Sequence, residues 1–187
     1  MLCAVDFFEV EVLSLGGLQR YWVMVVMELC TRRVTIAGIT VEPTGAWVEQ
    51  VARGLADGFG GVLARQRYLI LDRGAVFTKK FQSLLAAVEV KTLKLPARSP
   101  NLNAHLERWI RGIREECLDH LILLSEASLR EVVGEYVAHF HRERPHQGID
   151  QHIPIPSVPR LLGSASCHSI RVSPVLGGLH HVYRRAA

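Results

Sequence analysis

Leu2-Cys3-Ala4-Val5-Asp6-Phe7-Phe8-Glu9-Val10-Glu11-Val12 is the stretch that decides the fold, a β-rich run of core character with one acid set into its most apolar part. Two further β-rich runs follow at 21–30 and 33–41, with Gly16-Gly17 and Thr31-Arg32-Arg33 marking the turns between them. Three strands in succession on short turns predict an antiparallel meander. From Thr44 the period changes, because Trp47, Val48, Val51 and Leu55 recur at helical spacing until Gly58.

Residues 67–72 read as a buried strand, and Thr78 caps a short helix with an apolar stripe of Phe81, Leu84, Leu85 and Val88. A fifth strand is expected over 90–95. Ser99-Pro100 is a helix start, and the helix should run to about Leu118 with Leu102, Leu106, Ile110, Ile113 and Cys117 on its core side. Another is expected from Glu126 to about His141, with Leu129, Val132, Val133, Tyr136 and Phe140 inward. The order β-β-β-α-β-α-β followed by helices predicts an α/β layout around one mixed sheet. Five of the eight prolines stand from Pro145 onward with little periodicity. The expected division is therefore a core over 1–148 and a loosely structured C-terminal extension over 149–187.

With 187 residues, 49% of them hydrophobic, the chain can bury a real core, and a net charge of +4 fits a nucleic-acid partner. Cys3, Cys30, Cys117 and Cys167 are scattered without a C-x-x-C, so neither a zinc site nor a disulfide framework is suggested. The longest apolar stretch, 21–27, is far short of the roughly 20 residues of a membrane span. His139-x-His141 and His180-His181 lack the partners of a transition-metal site.

Asp6 in a core strand must be compensated, by a cation or by proximity to water. Asp72, ahead of Arg73-Gly74, is by itself an ordinary strand-ending Asp in a turn, and Gly74 would permit that turn to be tight. Glu107 lies on the flank of its helix away from Leu106, Ile110 and Ile113, with Arg111 as an i+4 partner. Together, two strand-borne Asp residues and a helix-borne Glu can converge at one edge of a sheet. Convergent carboxylates repel, and a cluster of hard oxygen donors is relieved by Mg²⁺ or Mn²⁺. Two such ions can activate the attacking oxygen and stabilise the leaving oxygen of a phosphoryl transfer.

Asp72-Arg73-Gly74-x-x-Phe77, then Ser99-Pro100-Asn101-x-Asn103-Ala104-His105-x-Glu107-Arg108, strongly resembles the integrase catalytic core of DDE-type bacterial insertion-sequence transposases, relatives of retroviral integrases. The likeness continues through Arg111, Arg114 and Glu115-x-Cys117-Leu118-Asp119 into Tyr136-x-x-x-Phe140-His141-x-x-Arg144-Pro145-His146, covering at least 4–147. The resemblance implies a ribonuclease H-like fold with a five-stranded mixed sheet. It also implies a metal-dependent polynucleotidyl transferase that cleaves and joins mobile-element DNA at Asp6, Asp72 and Glu107. Two Mg²⁺ or Mn²⁺ ions would sit on those acids, and the setting would be the bacterial cytoplasm, with a homo-oligomer assembled on DNA.

Lys94, Arg98, Arg108, Arg111 and Arg114 form the most localised basic patch, and Asn103 and His105 stand where they could touch DNA or orient a metal-bound carboxylate. Met1 stands five residues before Asp6, which leaves no room for an N-terminal helix-turn-helix. A truncated, catalytically inactive DNA-binding or assembly fragment is therefore an alternative expectation. A ribonuclease H-like nuclease ranks below both.

Overall fold

The computed structural model describes residues 1–58, 60–96, 100–156 and 170–185. Strands β1 (Leu2–Ser14), β2 (Gly17–Glu28) and β3 (Val34–Thr40) form the meander, followed by α1 (Gly45–Leu55), β4 (Tyr68–Leu71), α2 (Lys79–Ala86) and β5 (Lys91–Lys94). Helices α3 (Ala104–Glu116) and α4 (Glu126–Arg142) come next, and β6 (Ile170–Val175) and β7 (His180–Arg185) close the chain. The sheet order is β3-β2-β1-β4-β5. Its β1–β2 and β2–β3 pairings are antiparallel and its β1–β4 and β4–β5 pairings parallel. This is the mixed five-stranded sheet with flanking helices that the resemblance implied and with which the order of elements agreed.

Strand β1 is central and covered on both faces, which is why it reads as nearly continuous apolar sequence. Alternation sends Ala4, Phe8, Val10 and Val12 into the core beneath α3 and α4, and Cys3 and Val5 into the core beneath α1 and α2. The helices start on side-chain caps. The Thr44 hydroxyl accepts from the Trp47 N–H at 3.2 Å, and the Thr78 hydroxyl accepts from the Phe81 N–H at 3.0 Å while donating to the Glu49 carboxylate at 2.9 Å. Ser125 and Ser128 cap α4 reciprocally. Where α1 crosses β3 only glycine fits, since a Cβ on Gly38 would lie 2.6 Å from the Trp47 ring.

The helix expected from Ser99 divides in two, and Ser99 itself lies outside the described residues. Pro100–Asn103 form a 3₁₀ turn before α3 begins. Three residues per turn instead of 3.6 put Leu102 off the helical stripe, and it is exposed. The buried face is Leu106, Trp109, Ile113 and Cys117, with Ile110 half-buried at its margin. Val88 lies beyond the end of α2 and is exposed, because the chain turns there through Glu89 at φ +62°.

Residues 170–185 differ from the loosely structured extension that the sequence suggested. They form an antiparallel hairpin whose turn buries Leu176 against the α4 side of the core. The Leu176 N–H donates to the Glu135 carboxylate at 2.8 Å, and Val182 is buried as well. Pro174 and the polar residues between Ile170 and Val175 hide the period of two. Ahead of this hairpin, Arg33 donates to the Pro154 carbonyl at 3.1 Å and the His141 Nε2 accepts from the Val34 N–H at 2.8 Å, so the chain past α4 is tied to the start of β3. Among the described residues, Cys3, Cys30 and Cys117 are free thiols, and no helix is long and apolar enough to cross a membrane.

Candidate active site

Asp6 follows the alternation of β1 and so lies on the α3 face with Ala4 and Phe8. In the parallel β1–β4 register Ala4 stands opposite Ile70, and Ile70 lies in the same core layer. Asp6 lies in β1 two residues beyond Ala4, and Asp72 directly follows the last residue of β4, two residues beyond Ile70. The paired register ends at Ala4 and Ile70, so the acids stand where the two strands stop pairing. The crevice beyond the carboxyl ends of parallel strands is where open α/β sheets place their ligands.

Asp72 is exposed and held by its own turn, its carboxylate accepting from the Gly74 N–H at 2.9 Å. A Cβ on Gly74 would lie 2.9 Å from that same carboxylate oxygen. Close approach to the carboxylate, and not a left-handed backbone, is therefore what Gly74 supplies.

From above, α3 brings Asn103 and Glu107, four residues apart on one flank, toward Asp6. The Asn103 Nδ2 donates to Asp6 Oδ2 at 3.2 Å, and the Phe7 N–H donates to Asp6 Oδ1 at 2.8 Å. Burial pushes the Asp6 carboxyl up to about 6, and the charges of Asp72 and Glu107 push it the same way, against the two hydrogen bonds. The three acids thus share one electrostatic neighbourhood. Glu107 is half-buried, and no ion pair links it to Arg111.

Asn103 is only 5% exposed, and its Oδ1 is buried without a hydrogen-bond partner. It stands at the N-cap of α3 yet makes no side-chain cap bond. The sequence proposed it as a DNA contact or an orienting residue. Here it is buried and bonded to Asp6.

The basic residues separate into two groups. Arg108 and Arg111 line a cleft of about 600 Å³ with Arg32, His105, Arg144 and Gln147. The Arg32 guanidinium lies 3.2 Å from His105 Nε2, and burial together with the Arg32 and Arg108 charges holds the His105 imidazole below its ordinary pKa. Arg144 is neutralised in that cleft by Glu116, whose carboxylate also accepts from the Tyr136 hydroxyl at 3.0 Å. Arg114 points elsewhere, donating to the Glu9 carbonyl at 3.2 Å in a pocket shared with Glu11 and Asp119. Lys94 ends β5 level with Leu71, whose side chain enters the opposite core layer, so its register puts it on the other face of the sheet from Asp6. Arg98 lies outside the described residues. Arg32 is the cleft cation that sequence reasoning missed; its only signal was a turn position between β2 and β3, 73 residues from His105.

The donor set at Asp6 is chemically that of a hard divalent cation: three carboxylates and an orphaned amide oxygen, with no nitrogen or sulfur ligand among them. Asp6 also carries an unmet cost of ionisation that such a cation would relieve. Among the described residues no three His, Cys, Asp or Glu side chains already close around a single point.

Residues 89–154 match the integrase core domain family. That segment contains Asn103 and Glu107 but neither Asp6 nor Asp72. No curated protein matches the chain. Among solved structures, a chain of the simian T-cell lymphotropic virus intasome in complex with PP2A regulatory subunit B56 gamma superposes with a TM-score of 0.56 at 14% identity, covering 99% of this chain and 68% of that one. The catalytic core domain of BIV integrase superposes with a TM-score of 0.55 at 17% identity, covering 82% of this chain and 90% of the other. At these identities the structural likeness speaks to the fold, which is ribonuclease H-like.

Proposed function

We propose that this chain, which carries an integrase core of the ribonuclease H-like type, is a DNA transposase that cleaves and joins strands by metal-dependent phosphoryl transfer at Asp6, Asp72 and Glu107. The observation that carries the reading is the part-buried Asp6 carboxylate, on which the charges of Asp72 and Glu107 act and to which Asn103 is hydrogen-bonded. Asp6 and Asp72 would hold one Mg²⁺ or Mn²⁺ ion, and one of them with Glu107 a second. When bound, such a pair lowers the pKa of an attacking water or DNA 3′-hydroxyl and neutralises the leaving oxygen.

The remaining work belongs to the chain. Gly74 keeps the Asp72 turn tight, and Asn103 fixes one oxygen of Asp6. Arg32, Arg108 and Arg111 offer backbone phosphates a positive cleft beyond Glu107. Paired ends require more than one copy, so a homo-oligomer assembled on DNA is part of the proposal, as is a bacterial cytoplasmic setting.

The test is nicking and joining of cognate end DNA by purified protein in Mg²⁺ or Mn²⁺. Activity lost in Asp72→Asn supports the reading; equal behaviour of the two proteins overturns it. The open spacing of the carboxylates favours one second reading, a DNA-binding or assembly fragment without catalysis. Salt-sensitive DNA binding with no cation affinity at the acids would select it.

A further inference from the structure

Asn103 is the least conventional side chain near the acids. An Asn at a helix N-cap ordinarily turns its side-chain oxygen back onto the first-turn N–H groups. Here the side chain makes no such bond and instead reaches from α3 across to β1, where Nδ2 donates to Asp6 Oδ2 at 3.2 Å. Its other end, Oδ1, is buried and unpartnered. Buried amide oxygens are satisfied in nearly all folded proteins, so Oδ1 is the end of this side chain still able to take a donor.

The rest of the surroundings tightens the assignment. Asp6 Oδ1 is occupied by the Phe7 N–H and Asp6 Oδ2 by Asn103, so each carboxylate oxygen keeps one free lone-pair direction. Rotating the amide by half a turn would set Oδ1 against the Asp6 carboxylate, oxygen against oxygen. While Asp6 is ionised, Nδ2 is therefore held toward it and Oδ1 is held away. A hydrated divalent cation on Asp6 supplies what Oδ1 lacks, because water bound to a cation is a strong donor with its hydrogens turned outward.

We propose that Asn103 is a positioning residue of the acidic site, clamping the Asp6 carboxylate through Nδ2 and accepting through Oδ1 a hydrogen bond from the hydration shell of the cation held there. This rests on the reading of Asp6, Asp72 and Glu107 as a cation site. It adds that the grip on the cation depends on a neutral amide outside the acid set, as outer hydrogen-bond partners of metal ligands commonly govern affinity.

The experiment titrates Mn²⁺ into the full chain without DNA and follows free Mn²⁺ by electron paramagnetic resonance and the melting temperature in parallel. Asn103→Leu keeps the side-chain volume and removes both polar ends; it should weaken Mn²⁺ binding roughly 10–100-fold, as losses of such partners do, with an unchanged far-UV circular dichroism spectrum. Asn103→Asp exchanges the donor for a charge, so it should lower the melting temperature without Mn²⁺ and show a larger Mn²⁺-induced rise than the parent chain. A merely structural Asn103 would lower stability in both variants and leave the Mn²⁺ response untouched.

If Asp72→Asn loses Mn²⁺ while Asn103→Leu binds as the parent does, this inference is overturned and the acid site stands. If the parent chain binds Mn²⁺ no better than Asp72→Asn, the cation-site reading falls and takes this inference with it. Should Asn103→Leu fail to fold, Asn103→Asp decides, and a Mn²⁺-induced rise equal to the parent's overturns the proposal.

Discussion

Asp6→Asn should stabilise the divalent-free protein at neutral pH while abolishing strand transfer. Burial first, and then the Asp72 and Glu107 charges, raise the Asp6 carboxyl from 3.8 to about 6. A raised carboxylate means that the folded state binds the proton more tightly than the unfolded chain. The favourable contribution is thus fully present below about pH 4 and is lost as pH rises through about 6. At about 1.4 kcal/mol per pK unit, the loss above that range is roughly 3 kcal/mol. Asn at position 6 never ionises. It can keep the Phe7 N–H bond, and the Asn103 amide can turn so that its orphaned Oδ1 accepts from the new side-chain amide.

Urea unfolding of both proteins without divalent ions, at pH 4 and pH 8, reads the difference, because titrating groups away from the site cancel between them. The variant should be more stable by roughly 2–3 kcal/mol at pH 8 and nearly equal at pH 4. Added Mg²⁺ should raise the parent and leave the variant unmoved. A stability difference that is the same at both pH values would refute the electrostatic account of the site.

Other perturbations probe the surrounding elements. Gly74→Ala puts a Cβ 2.9 Å from the Asp72 carboxylate, so end-cleavage rates should fall at least about tenfold, as misplaced catalytic groups do, with little change in the melting temperature. Arg108→Gln and Arg111→Gln should each reduce the slope of log DNA affinity against log salt by about one, and Arg114→Gln, whose side chain is engaged at Glu9, by less. Leu176→Ala should cost roughly 2–4 kcal/mol by urea unfolding, because this side chain anchors the C-terminal hairpin in the core. His141 is half-buried near Arg33 and held down to about 4 by desolvation and that charge, so acid should weaken the joint it makes with Val34. Its stabilisation is present above about pH 6.5 and lost as pH falls toward 4, and amide exchange at Val34 should rise across that window.

The sheet was legible in the sequence because its signals are local. Apolar runs, the Gly16-Gly17 turn and the Thr78 cap each act within a few residues, and each stands where it was expected. The acids were singled out as a set through spacing and flanking motif, and as a set they belong to the proposed function. What was not legible depends on helix rotation and long-range approach. The 3₁₀ turn over Pro100–Asn103 shifted the buried stripe of α3 from Leu102 to Trp109, and with it the direction of Asn103. Arg32 reaches His105 only because the β2–β3 turn folds against the start of α3, which no window of sequence contains. The β6–β7 hairpin escaped because six-residue strands broken by Pro174 carry too little alternation to stand out.

Several local rules are broken around Asp6, and they are broken by residues from separate elements. A central strand holds an acid whose ionisation is opposed by burial, a helix leaves its N-cap Asn unbonded to the first turn, and a strand ends in a turn so tight that a methyl group would strike its carboxylate. Each departure costs stability, and the cap alone forgoes about 1 kcal/mol. Independent defects would fall in different parts of the fold. Asp6, Asn103 and Asp72 instead meet at the end of the β1–β4 pairing, where Glu107 also arrives, and one hard cation with its water would repay the first two at once. Sequences that specify their fold consistently tend to depart from local rules where function requires it. That concentration is the reason the acidic crevice is proposed as the functional site.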